Sequence, residues 1–524
     1  MSTRLQDDRR GLARVALLAL LWLGLLAWAR PLMLPDEGRY VGVAWGMLRS
    51  GDWLTPTLDG LPYFHKPPLF YWITAAAMKL LGVWEWPARL ASILGAWAGA
   101  LAVFALLRRW WGERDARLAL WVLLLQPAFY LGAQFANLDM LVAGAITVTI
   151  ALLAQAALAL ERGLPYRGAL LGAYVAAALA VLAKGLIGMV LPGLVVTAWL
   201  LSGGRWRTWL HLLSLPGLVL FALIAAPWFI AMQQRFPEFL HYFFVVQHFQ
   251  RFAETGFNNV QPFWFYPAVL VLATLPWLPW LKPLLARGQA VDPLRADLRR
   301  LMWLWVVVVT AFFSLPASKL VGYILPAIPP LAVLLADGIA AHRQRHGHLG
   351  RGIWVSAGVS VALCVLAIGL LAARTPNSSK ELGLELRAQR QAGEPVFLLG
   401  EYYFDLPIYA RLEQPEVYVL DWDDPAIRRR DTWRKELADA GDFDPALAAR
   451  LLLRPPQLAL ALCRVPVAWL VGPKTAPQAF PLLGQARQVA ANDEAALWRI
   501  TPETPSVRAA LGCPGTPIAG SAAR

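Results

Sequence analysis

The feature that most constrains this chain is a succession of apolar stretches, each roughly 15 to 22 residues long, which matches the length a helix needs to cross about 30 Å of hydrocarbon. They lie near 11–29, 87–107, 118–134, 140–160, 168–183, 186–201, 211–231, 263–281, 301–315, 320–340 and 353–373. In lipid every backbone N–H and C=O must be satisfied within the protein, so such runs become helices. A porin-type barrel would alternate apolar and polar residues instead. Composition agrees: 58% of the 524 residues are hydrophobic and only 16% charged, too few charges for the surface of a water-soluble protein of this size. The expected fold class is mostly α, a polytopic membrane protein with about 11 to 13 spans.

The net charge of +14 reads first as a topology signal and a contact with anionic membrane lipids. No nucleic acid partner is expected, since no clustered basic and aromatic motif accompanies the charge. Arg4, Arg9 and Arg10 precede the first run, and no small-residue cleavage site follows it, so the N-terminus is read as cytoplasmic and the first span as uncleaved. Basic connections at 108–117, 161–168, 203–209, 282–300 and 342–351 then share the inner side. Residues 30–86, 137–139, 232–262 and 314–319 fall outside. The stretch 69–83 is short and contains Lys79, and is read as an interfacial helix. A transmembrane domain over 1–373 is followed by a small soluble α/β domain over 374–524, with candidate strands at 395–400, 416–421 and 468–472. Cys364 lies in an apolar run and packs there; Cys463 and Cys513 could pair, although nothing in their spacing requires it.

The candidate chemistry collects on the external side. The first external loop reads LPDEGRY at 34–40 and GDWLTPTLDGLPYFHKPPLFYW at 51–72, bringing Asp36, Glu37, Arg39, Tyr63, His65 and Lys66. Taken alone, these residues fit an interfacial anchor with a helix cap at Asp36 about as well as a site. Asn137-Leu138-Asp139 interrupts two apolar runs, and a lone Asp there is more often a cap than a catalyst. HFQRF at 248–252 adds His248 and Arg251; SLPASKLVGYILP at 314–326 adds Lys319 and Tyr323; Lys184 lies in LAKGLIG. Singly, Lys319 and Lys184 read as snorkelling residues. Together, carboxylates and cations on one membrane face fit an anionic, membrane-borne substrate, with Arg and Lys holding phosphate and a carboxylate orienting the attacking group. No Walker loop, zincin helix or dinucleotide fingerprint is present. A non-catalytic lipid-linked carrier or flippase is the alternative of another class, disfavoured because its usual mid-membrane charges and internal repeat are missing.

In this order, LPDEGRY, the GDWLTPTLDGLPYFHKPPLFYW segment, ANLDM, LAKGLIG, HFQRF and SLPASKLVGYILP resemble the aminoarabinose transferases. These belong to the GT-C-type membrane glycosyltransferases that use polyprenyl-phosphate sugars and are related to protein O-mannosyltransferases. The resemblance covers most of residues 30–340. It implies Asp36 as principal catalytic carboxylate and Asp139 as a second one. Lys66, Arg39, Tyr63, Arg251 and Tyr323 would then surround the donor phosphate, with Glu37, His65, His248, Lys319 and Lys184 in support. The reaction implied moves 4-amino-4-deoxy-L-arabinose from undecaprenyl phosphate to a lipid A phosphate on the periplasmic face of a bacterial inner membrane. A relative that transfers another sugar, mannose for example, to a protein hydroxyl or glycan is the alternative. The family has Glu where this chain has His65. His65 and His248 could still pair on a divalent metal such as zinc, but two His do not specify a site, and no essential cofactor is expected.

Overall fold

The computed structural model describes residues 2–250, 259–285, 292–374, 378–429 and 432–514. Every apolar run in the sequence is helical: α1 (Ser2–Gly24), α4 (Glu85–Trp110), α5 (Glu113–Leu124) with α6 (Pro127–Ala133), α7 (Leu138–Glu161), α8 (Arg167–Lys184), α9 (Ile187–Ser202), and the later helices Leu215–Arg235, Phe265–Thr274, Pro293–Ser314, Ile328–His346 and Gly352–Arg374. Two further helices, α2 (Asp36–Ser50) and α3 (Leu69–Leu81), lie between the first and second apolar runs. By length and composition six of the described helices are apolar enough to cross a membrane, or eight if each sharply bent pair counts as one. The chain is thus a multi-pass helical membrane protein.

Two runs that read as continuous are broken. The axes of α5 and α6 meet at 67°, and those of Phe265–Ala273 and Leu278–Leu284 at 101°. Proline explains both: Pro127 opens α6, and Pro276 and Pro279 flank the second break, each removing a backbone donor that a straight helix requires.

The chain divides into two compact units, one comprising Met1–Arg30, His65–Ala77 and Glu85–Ala373, the other Pro31–Phe64, Met78–Trp84 and Arg374–Arg524. In the first, α4 and α7 cross without side chains between them. A Cβ on Gly144 would overlap the Gly95 carbonyl, and one on Gly95 would come within 2.5 Å of the Leu141 Cα; small residues permit this approach, as they do between membrane helices generally. The crossing fixes the first turn of α7, which Ser92 of α4 also grips by donating to the Asn137 carbonyl at 2.9 Å. At the opposite end, part of the basic-loop charge is neutralised internally: Arg295 contacts Asp115 and Asp337, both at 2.7 Å, and Arg205 contacts Asp297 at 2.9 Å. The tryptophans divide between exposed and buried positions. Trp354 is exposed, whereas Trp277 and Trp280 bury their indoles and donate to Ser360 and Ser356.

In the second unit a two-stranded hairpin, β1 (Thr57–Leu58) and β2 (Leu61–Pro62), accompanies a six-stranded sheet of order β5-β4-β3-β6-β8-β7. Its strands are β3 (Val396–Leu399), β4 (Val417–Val419), β5 (Leu452–Leu453), β6 (Ala468–Pro473), β7 (Arg487–Ala491) and β8 (Ala495–Ile500). β3 pairs in parallel with both neighbours and is buried along its whole length, as a continuous VFLL run requires. β7 and β8 form an antiparallel hairpin whose turn is closed by Asn492, accepting from Glu494 N and Ala495 N. Cys463 and Cys513 are joined by a disulfide beside this core.

The hairpin turn is fastened to the sheet by a buried carboxylate: both oxygens of Asp59 accept from the Glu416 backbone N–H, at 3.1 and 3.0 Å. Burial pushes the Asp59 carboxyl up to about 7, opposed by Arg49, and burial with the nearby Asp59 charge pushes Glu416 well above its ordinary value. A carboxyl raised on folding favours the folded state below its unfolded value, and that advantage is lost as pH rises through the folded one. Asp59→Asn removes this charge while keeping an oxygen acceptor. The variant's melting temperature, compared with wild type by scanning fluorimetry at stepped pH, is expected to improve relative to wild type from about pH 5 to about pH 8; a pH-independent difference would contradict the assignment.

Candidate active site

Two groups of ionisable residues stand at helix ends, one in each unit. In the second unit, α2 begins at Asp36, and Asp36 and Glu37 occupy its first turn, where the helix dipole favours negative charge. Their environments separate them. Glu37 is fully buried and accepts from the Met33 N–H at 2.9 Å, closing the turn that enters the helix. Asp36 keeps a third of its side chain exposed and meets Arg39, one turn on, at 2.5 Å.

Arg39 is shared. Its Nη2 donates to Asp36 and its Nη1 to Glu436 at 2.7 Å, while the other Glu436 oxygen accepts from the Tyr63 hydroxyl at 3.4 Å. Its Nε–H is buried and has no acceptor among the described residues. Burial opposes the Arg39 charge, but Glu436, Tyr63, Tyr40 and Asp36 overcome it and hold the guanidinium well above its ordinary value. Glu436 lies on the helix Trp433–Phe443, on the buried face that also carries Leu437 and Ala440. It was not among the residues read from the sequence. The available signal was a Glu among the small and apolar positions of an amphipathic segment, RKELADAGDF.

In the first unit, Asp139 lies in the first turn of α7, but the cap belongs to Asn137, whose side chain accepts from the Asp139 N–H at 2.8 Å. The Asp139 carboxylate therefore faces sideways, into a salt bridge with Lys184. Lys184 is the last residue of α8, where the dipole favours a cation. It does not snorkel: the side chains of Lys184 and Asp139 are 11% and 8% exposed, and the ammonium lies 4.2 Å from the centroid of the Tyr323 ring. Gly322 completes the fit, since a Cβ there would run into the Asp139 carboxylate.

Of the remaining candidates, one serves the backbone. Lys319 is also not a snorkelling residue. It is buried and donates to the carbonyls of Gln261 at 2.8 Å and Pro316 at 2.6 Å, and the isolated bridge between Val260 and Ser318 runs beside it. Lys319 therefore pins two loop segments together. His65 is buried and its Nε2 lies 2.9 Å from the Tyr242 hydroxyl, which accepts from Gln247 at 3.0 Å. Tyr242 and Gln247, on the π-helical segment His241–Gln250, were likewise not read from the sequence. Lys66 is half-buried. Arg251 and the His248 side chain lie outside the described residues. Among the described residues no three His, Cys, Asp or Glu side chains gather as a metal-holding group.

Residues 65–230 match the family model for dolichyl-phosphate-mannose-protein mannosyltransferases. The undecaprenyl phosphate-alpha-4-amino-4-deoxy-L-arabinose arabinosyl transferase of Pectobacterium carotovorum is 35% identical over 364 residues, covering 68% of this chain and 64% of that protein. That of Pseudomonas aeruginosa is 34% identical over 351 residues, covering 65% and 61%. The chain thus spans about 64% of the length of the first of these curated relatives. The crystal structure of ArnT from Cupriavidus metallidurans bound to undecaprenyl phosphate superposes with a TM-score of 0.76 at 24% identity, over 93% of this chain and 97% of that one. The fold is therefore that of the GT-C-type membrane glycosyltransferases. In sequence, the chain is similar to the arabinosyl transferases over the part it shares with them.

The Lys184–Asp139 pair generates a direct test. Removing one partner of a nearly buried ion pair strands the other charge, whereas removing both is far milder. Lys184→Met is expected to lose roughly 3 kcal/mol or more of stability, and Lys184→Met/Asp139→Asn to recover part of that loss. Thermal unfolding of the purified variants measures both. A single variant as stable as wild type would show that the pair carries no such strain.

Proposed function

We propose that this chain is a glycosyltransferase that moves 4-amino-4-deoxy-L-arabinose from undecaprenyl phosphate to a phosphate of lipid A on the periplasmic face of the bacterial inner membrane. The observation that carries this reading is the joint match in fold and sequence to aminoarabinose transferases, one of them crystallised with undecaprenyl phosphate. The disulfide Cys463–Cys513 supports an oxidising compartment for the C-terminal part.

In this reading an oxygen of the acceptor phosphate attacks the anomeric carbon, the bond from that carbon to the donor phosphate oxygen breaks, and the electron pair leaves with undecaprenyl phosphate. A single displacement inverts the anomeric centre. The negative charge gathering on the leaving phosphate is stabilised by Lys66 and Arg251 and by the Tyr323 hydroxyl. Arg39, with one N–H on each terminal nitrogen given to a carboxylate, adds its positive charge to this stabilisation. Asp36, the accessible carboxylate, orients the acceptor. A phosphate is largely ionised near neutral pH and needs positioning more than deprotonation. Asp139, with its charge held by Lys184, keeps Tyr323 in place. The reaction is proposed to need no metal.

The match of residues 65–230 to the mannosyltransferase model favours a second reading, transfer of mannose to a protein hydroxyl. One experiment separates the two: mass spectrometry of lipid A from a strain that makes the donor but lacks its own transferase, expressing this chain, Asp36→Ala or Lys66→Ala. The expected result is an aminoarabinose increment with the unaltered chain alone. Unmodified lipid A alongside labelled protein would select the mannosyltransferase reading.

A further inference from the structure

Arg39 is held between two carboxylates from distant parts of the chain: Asp36, three residues before it, and Glu436, 397 residues after it. Exposure grades across the group. The side chains of Glu436 and Arg39 are 11% and 15% exposed, that of Asp36 34%. Glu436 also takes the Tyr63 hydroxyl on its second oxygen, so one shielded carboxylate fixes two neighbours at once. A guanidinium is a planar fork, and binding one arm sets the direction of the other. With Nη1 tied to Glu436, Nη2 can point only where Asp36 receives it.

We infer that Glu436 is a positioning residue for the transfer reaction: through Arg39 it sets the orientation of Asp36, and it sets that of Tyr63 directly. A residue of the C-terminal segment thereby shapes the site built from the first external loop. This rests on the reading of Asp36 given above. A displacement of reacting groups by about 1 Å costs on the order of 100-fold in rate, and the loss falls on turnover when substrate binding is carried elsewhere.

The test is steady-state transfer by the purified full-length protein, with undecaprenyl-phosphate-linked aminoarabinose as donor and lipid A as acceptor. Glu436→Gln is expected to lower kcat by about 10- to 100-fold while the donor KM stays within about threefold. Arg39→Lys combined with Glu436→Gln should be no slower than the slower single variant, because the two act as one unit. A purely structural brace would lower the melting temperature and leave kcat alone. Should Glu436→Gln lose its fold, Glu436→Asp decides, since it keeps the charge and withdraws it by one methylene. A reduced kcat at unchanged KM in that variant supports the inference, and wild-type kcat overturns it, as do a wild-type kcat in folded Glu436→Gln or losses that multiply in the double variant. Asp36→Ala separates the two levels: if it turns over like wild type, the reading of the site fails; if it is inactive while Glu436→Gln is not, only the role of Glu436 fails.

Discussion

Asp139 and Lys184 face each other with about a tenth of either side chain exposed, and this pairing is the constraint that the rest of the first unit's site obeys. A lone carboxylate so placed would be expelled or protonated, because burial penalises the charged form. It stays because the chain arranges everything around it. Asn137 takes the cap, the Gly95–Gly144 crossing anchors the first turn of α7, Gly322 yields the space that a side chain would fill, and α8 ends on the matching cation. The ammonium also rests over Tyr323, so one ion pair orders a ring as well as an acid.

The second unit meets the same cost in another way. Of two adjacent carboxylates, Glu37 is spent on the backbone of the turn, and Asp36 is left at the surface with an arginine behind it. That arginine is in turn held by Glu436. The group thus grades from shielded to accessible, an arrangement that presents a carboxylate in a fixed direction while keeping its supporting charges out of solvent. Preorganised charge of this kind needs little rearrangement when a substrate's own charge shifts.

How much of this could be read beforehand follows from which forces are local. The helices were legible because each apolar run carries its own length and composition, and β3, β4 and β6 because short buried strands are apolar throughout. The bends at Pro127 and near Pro276 were signalled by proline yet masked by apolar continuity. The β7–β8 hairpin was missed because alanine fills positions where β-branched residues would have announced a strand. Asp36, Arg39 and Tyr63 were selected by sequence, and the structure brings them together. The partners were not legible: nothing near Lys184 names Asp139, and nothing near Arg39 names a glutamate 397 residues away. Read singly, Lys184 and Lys319 looked like snorkelling residues, because the pairing that overrides that habit is tertiary.

In the proposed reading Lys66 and the cations grouped with it serve a polyprenyl phosphate anion. The most direct measurement is the affinity of the purified protein for undecaprenyl phosphate, without sugar or acceptor, compared among wild type, Lys66→Ala and Asp36→Asn, with uncharged undecaprenol as control. Saturable binding to the phosphate alone is predicted, weakened about tenfold or more, roughly 1.4 kcal/mol, by Lys66→Ala and preserved in Asp36→Asn. Equal binding of phosphate and alcohol, or no loss in Lys66→Ala, would contradict it.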